Sequence, residues 1–231
     1  MVRLFAITIL ATTLISCDEP ILPPEPVKIS ARPGTAVVIP VDAPVRGKPV
    51  EAMGYIPAFP RLDPAPLPQN VRLLRHTLGL LGNGRVVGSV LIEVPSTAQG
   101  EITFTISATG NGSAMGGRSV FFSAQDTPAT ITVEGAPVTE DAPDLSGDWQ
   151  ADKDIWSFYP APSRMLEIRY ATGEKKTVRY LALPGADGRW FLIDTNIEGN
   201  TYWIDIDAST GTIQVAHPGG DYDPYVMLKR Q

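Results

Sequence analysis

The 231-residue chain has one cysteine, two histidines and no run of basic residues. A single thiol excludes a disulfide within the chain. His76 and His217 fall in different predicted domains, so with no second thiol they cannot assemble a zinc site of the usual Cys/His kind. Charged residues make up 19% of the chain, below the soluble average of about 25%, while 21 Gly and 22 Pro exceed the usual share. Long helices are therefore unexpected, and short strands joined by many turns are favoured. A formal net charge of -6 without a basic stripe argues against a phosphate-binding surface, so no nucleic-acid partner is expected.

No apolar run reaches the roughly 20 residues that cross a bilayer as a helix. The N-terminus instead reads Met1-Val2-Arg3, an apolar core of twelve residues from Leu4 to Ile15, and then Ser16-Cys17. This is the pattern of a secretion signal peptide. Its end, Leu14-Ile15-Ser16-Cys17, resembles the lipobox of bacterial lipoproteins. The resemblance implies cleavage between Ser16 and Cys17, lipid including palmitate-type acyl chains on Cys17, and stable membrane anchoring in the cell envelope. Cleavage removes only Arg3 among the charged residues, leaving 18 basic against 25 acidic and a net charge of -7. Asp18 resembles the retention signal of enterobacterial inner-membrane lipoproteins, which favours the inner membrane, with the body in the periplasm or at the cell surface.

Residues 18–70 hold 13 of the 22 prolines. The first part, 17–26, reads as a semi-rigid polyproline tether. A second cluster, Pro57 to Pro68, cannot form a central strand, because proline lacks the N–H that a ladder requires; an ordered crossing loop or an exposed docking segment is expected. Around these clusters run short β-like segments, clearest in Ile102-Thr103-Phe104-Thr105-Ile106, where apolar and threonine side chains alternate. Val71 to Leu81 fits either a helical stripe or one arm of a hairpin.

The fold expected is all-β: an immunoglobulin-like β-sandwich over 27–135, a linker over 136–146, and a small antiparallel meander or barrel over 147–231. Seven β-like runs with tight turns fill this last part, which also holds all four tryptophans. Leu145-Ser146-Gly147-Asp148-Trp149 resembles the Gly-x-Trp opening of lipocalin-like barrels, which implies a Trp closing one end of a barrel.

Candidate chemistry is sparse. Gly112 to Ser119 has P-loop spacing with Arg118 in the lysine position, but Val120-Phe121-Phe122 continues as a strand where a helix is needed, so a hairpin loop is expected. Asp205 and Asp207 alternate along a predicted strand and stand near Asp221 and Asp223, a weak set of metal ligands that fails the EF-hand pattern. No nucleophile elbow occurs, no paired carboxylates are placed for glycoside hydrolysis, and neither a catalytic site nor a cofactor is expected. The aromatics Trp149, Trp156, Tyr159, Trp190 and Trp203 are the candidate ligand or partner surface, set against the reading that they form the core of a small domain. Together these features point to a lipoprotein acting as a structural or accessory binding subunit of an envelope assembly, with an envelope protein as partner. The alternatives are a carbohydrate or small-ligand module using the C-terminal aromatics, or an inhibitor of an envelope hydrolase.

Overall fold

The computed structural model describes residues 23–47, 55–113, 119–139, 141–142, 144–159, 162–188, 190–194, 203–207, 212–216 and 225–230. Side chains of 192–194, 203–207, 212–216 and 225–227 are outside that description. The described residues form an essentially all-β chain with two distinct β regions. No described helix is long and apolar enough to cross a membrane.

The first region comprises β1 (Val27–Ala31), β2 (Ala36–Pro44), β3 (Ile56–Pro57), β4 (Phe59–Asp63), β5 (Arg72–His76), β6 (Gly79–Leu80), β7 (Arg85–Glu93), β8 (Gly100–Ser113), β9 (Ser119–Ser123) and β10 (Thr127–Val133). One sheet has the order β1-β10-β8-β4, with β9 continuing beside β8; the other has the order β2-β7-β6-β3, with β5 also on β7. The first strand lies parallel to the last, Val27 opposite Ala129, and the other pairs are antiparallel. Alternation puts Ile102, Phe104, Ile106 and Ala108 of β8 inward, against Val37, Ile39, Val41, Val90 and Ile92 of the facing sheet, in one continuous buried core.

Of the two readings of the proline cluster, the ordered crossing is the one found, and it is built of short strands. Ile56–Pro57 pairs with β6 in one sheet, and Phe59–Asp63 pairs with β8 in the other, so this segment crosses between sheets as two short strands. Ala58, fully buried at the crossing, donates its N–H to Leu78 O at 2.9 Å. Pro60 is tolerated because β4 is an edge strand. Val71 to Leu81 takes the extended alternative, as β5 and β6. Its close approach to β7 needs Gly88: a Cβ there would lie 2.3 Å from Thr77 O, at a φ of +136° that L side chains rarely adopt.

The second region comprises β11 (Gly147–Ala151), β12 (Asp154–Tyr159), β13 (Met165–Arg169), β14 (Lys175–Pro184), β15 (Trp190–Asp194), β16 (Trp203–Asp207), β17 (Thr212–Ala216) and β18 (Tyr225–Arg230). Each pairs antiparallel with the next, and β18 returns to β11, closing the ring. Closure removes the open edges that an eight-strand meander would otherwise carry.

The segment expected to link the two regions is held at both ends. Val138 N–H donates to Pro33 O at 2.9 Å, Arg32 Nε donates to Ala136 O at 3.3 Å, and Leu145 is buried among the barrel residues. The regions also touch directly. Phe191 packs with Ala36 and Leu91, flanked by Leu181 and Leu183 on one side and Val38 and Leu74 on the other. A parallel bridge joins Ala36 to Gly185, and Ala186 N–H donates to Ala36 O at 3.1 Å. The barrel thereby covers the apolar part of the outer face of the β2-β7 sheet.

Ile92 is fully buried on the inner face of β7. Ile92→Ala removes three methyl or methylene groups and leaves a cavity, so it should lower unfolding free energy by about 2–5 kcal/mol in urea titrations. A loss below about 1 kcal/mol would contradict this packing.

Candidate functional site

Ser16, Cys17 and Asp18, on which the anchoring expectation rests, lie outside the described residues. So do Asp221 and Asp223. Asp205 and Asp207 lie on β16, opposite Gln214 and Thr212 of β17 in register. Among the described residues no group of three or more His, Cys, Asp or Glu side chains gathers as a metal site would require. Gly112 and Ser113 end β8 and Ser119 opens β9 in an antiparallel hairpin; residues 114–118 are outside the description.

The C-terminal aromatics divide. Trp149, Trp156 and Trp190 are only 4–6% exposed and form the barrel core with Phe158, Leu166, Ile168, Val178 and Leu228. Phe158 stands edge-on to Trp149 and to Tyr180, at centroid distances of 6.3 and 5.8 Å. Burial holds the Tyr180 phenol above its usual pKa of 10, so it stays a donor, and it bonds Tyr159 O at 3.1 Å. Trp156 Nε1 is buried without an acceptor among the described residues. Tyr159 is exposed; Trp203 lies on β16 opposite Ala216 in register. Three of the four indoles therefore offer no open stacking face.

Trp149 sits on the closing seam, opposite Arg230. Its indole Nε1 donates to Leu145 O at 2.9 Å, and the Arg230 guanidinium lies 5.6 Å from the ring centroid. Arg230 also donates to Ser146 O at 2.9 Å. The ring is thus pinned from its edge and covered by a cation.

Outside the barrel, Ser157 donates to Asp148 Oδ1 at 2.6 Å and accepts from Arg169 Nη2 at 3.0 Å. These contacts tie β11, β12 and β13 together across the outer surface.

The open surface is elsewhere, on the outer face of the β1-β10-β8-β4 sheet. Phe59 is 60% exposed and Phe121 is 81% exposed; Tyr159 is the other large exposed hydrophobic residue among those described. A groove of about 560 Å³ runs between them, lined by Val45, Arg46, Thr109, Asn111 and Ser123 among others. Register explains why these residues meet. Phe59 pairs with Thr109, Thr109 with Ser123, and Asn111 with Phe121, so all five stand on one face. Phe122, next in sequence, turns inward and is buried.

Arg46 forms the far wall. Its N–H donates to Ser123 O at 2.7 Å, its Nε donates to Ala124 O at 2.9 Å, and its Nη2 pairs with Asp126 at 2.5 Å. Phe59 is backed by His76, edge-on at 5.9 Å. Burial, and then the neighbouring Arg75 charge, push the His76 pKa below its usual 6.5, so the imidazole is neutral at neutral pH. The groove therefore carries two exposed aromatic rings, hydroxyl and amide groups, and no net charge.

Half of this place was legible as the expected docking segment of Pro57 to Pro68, and a further signal stood in the other half. Two consecutive phenylalanines in a strand, Phe121-Phe122, must send one ring to each face. Phe59 lies in the segment read as a crossing loop or exposed docking segment, but its place on this face depends on β4 pairing with β8, more than forty residues away.

Burial of the indoles has a direct optical test. In a Trp203→Phe variant the remaining three tryptophans should emit at short wavelength and resist iodide; efficient quenching would show that the aromatic interior is open to solvent.

No family model matches the chain, and comparison with curated proteins and with solved structures finds no match to either.

Proposed function

We propose that the chain is an envelope lipoprotein, cut before Cys17 and anchored by lipid there, whose body is a structural or accessory binding subunit of a membrane-associated assembly. In this reading the first region is an immunoglobulin-like sandwich and the second a small barrel. Two facing sheets, with the first strand parallel to the last, support the sandwich assignment.

The observation that carries the binding role is the uncovered groove with Phe59 and Phe121 at its margins. Large rings at such exposure cost solubility unless a partner covers them, and contiguous exposed apolar surface is a mark of contact sites. The barrel covers the apolar patch on the outside of the other sheet, which leaves this face for an outside partner. Asp18 favours the inner membrane as the site of anchoring.

The anchor and the contact face are tested separately. A Cys17→Ala variant should accumulate as uncleaved precursor and incorporate no labelled palmitate; normal processing would overturn the anchor. Lipidated protein purified from detergent-solubilised native membranes should retain a stoichiometric envelope component, identified by mass spectrometry. Phe121→Arg should lose that component while thermal stability stays within about 0.5 kcal/mol of wild type, as for an exposed residue. Undiminished recovery in that variant would remove the contact face from this role.

A further inference from the structure

We infer that the groove between Phe59 and Phe121 is a binding site for a neutral oligosaccharide lying across the open sheet. This rests on the reading of that sheet as the contact face, and it names the chemistry of what is contacted.

Spacing is the first argument. From Phe59 on β4 to Phe121 on β9 the path crosses two strand spacings and two residues along the strand, which places the Cα atoms roughly 12 Å apart. That span suits a chain of linked rings resting on each phenylalanine in turn. The volume of about 560 Å³ falls within the range of sites for molecules of that size.

Chemistry is the second. A pyranose has an apolar C–H face, which stacks on an aromatic ring, and a rim of hydroxyls, which needs donors and acceptors in the plane between the rings. Here that plane holds the Thr109 and Ser123 hydroxyls and the Asn111 amide. The same face continues along β8 and β10 as Thr103, Thr105, Ser107, Thr130 and Thr132, by the alternation that turns Ile102, Phe104, Ile106 and Ile131 inward. A hydroxyl-rich floor suits a hydroxylated ligand.

Charge is the third. Arg46 is the cation lining the groove, and it is neutralised by Asp126 at 2.5 Å. His76, behind Phe59, is neutral at neutral pH. The other charges on this face, Lys28 and Arg61 against Asp63 and Glu101, cancel in number, so nothing selects an acidic polymer and the ligand is uncharged.

The test is isothermal titration of the full lipidated chain, in detergent, with chitohexaose and with cellohexaose. At least one should bind, and Phe59→Ala and Phe121→Ala should each weaken it about tenfold, the loss of roughly one stacking contact. Both side chains are exposed, so the melting temperature of each variant should match wild type, and the loss would then belong to the site. Absence of binding by both sugars, or binding equal in wild type and both variants, would overturn the inference. Should neither sugar bind while Phe121→Arg still strips a protein from the native membrane sample, the face binds protein: the oligosaccharide fails and the contact-face reading stands. Loss of neither sugar nor protein in these variants would overturn both.

Discussion

The β2-β7 sheet has an apolar inner face and an apolar patch on its outer face, and the arrangement of the whole chain follows from that. Val37, Ile39, Val90 and Ile92 point into the core of the first region, whereas Ala36, Val38 and Leu91 point the other way. A sheet of this kind cannot rest with one side in water, since each exposed Leu or Val would forgo about 1.5–3 kcal/mol of burial. Phe191, Leu181 and Leu183 of the barrel supply the missing layer, and the bridge from Ala36 to Gly185 sets their position. Once that face is occupied, the opposite sheet is the one left to meet solvent and partners. The hydroxyl-rich pattern of β8 and β10 fits that exposure.

Closure of the barrel answers a second constraint. Eight short strands connected in sequence would leave β11 and β18 as bare edges, and pairing Trp149 with Arg230 and Gln150 with Lys229 removes them. The seam is reinforced by groups that do two things at once. Trp149 fills the core with its ring while its N–H caps Leu145 O, and Arg230 covers that ring while holding Ser146 O. Surface ion pairs such as Arg85 with Asp42 add little beside this, because exposed pairs contribute about 0–1 kcal/mol.

The groove depends on both constraints without being part of either. Phe59 belongs to an edge strand created when the proline-rich segment crosses from one sheet to the other. Phe121 belongs to the β8-β9 hairpin, and Arg46 is held against the far side of that hairpin by three polar contacts. Each comes from a different stretch of chain, and none lies in a motif with a recognisable spacing. The buried tryptophans show the converse: their density in the last 83 residues drew attention as a possible surface, yet a small barrel needs large rings to fill its interior.

By itself the sequence determined the class of structure. Alternation such as Ile102-Thr103-Phe104-Thr105-Ile106 has period two wherever it is placed, and glycines and prolines punctuate it too often for long helices. Only the tertiary structure decided which strands became neighbours, that Pro57 to Pro68 contributes an edge strand, that the barrel closes through Arg230, and that Phe59 and Phe121 share a face. Those outcomes rest on pairings between residues far apart in sequence, and local periodicity holds no information about which distant strand completes a ladder.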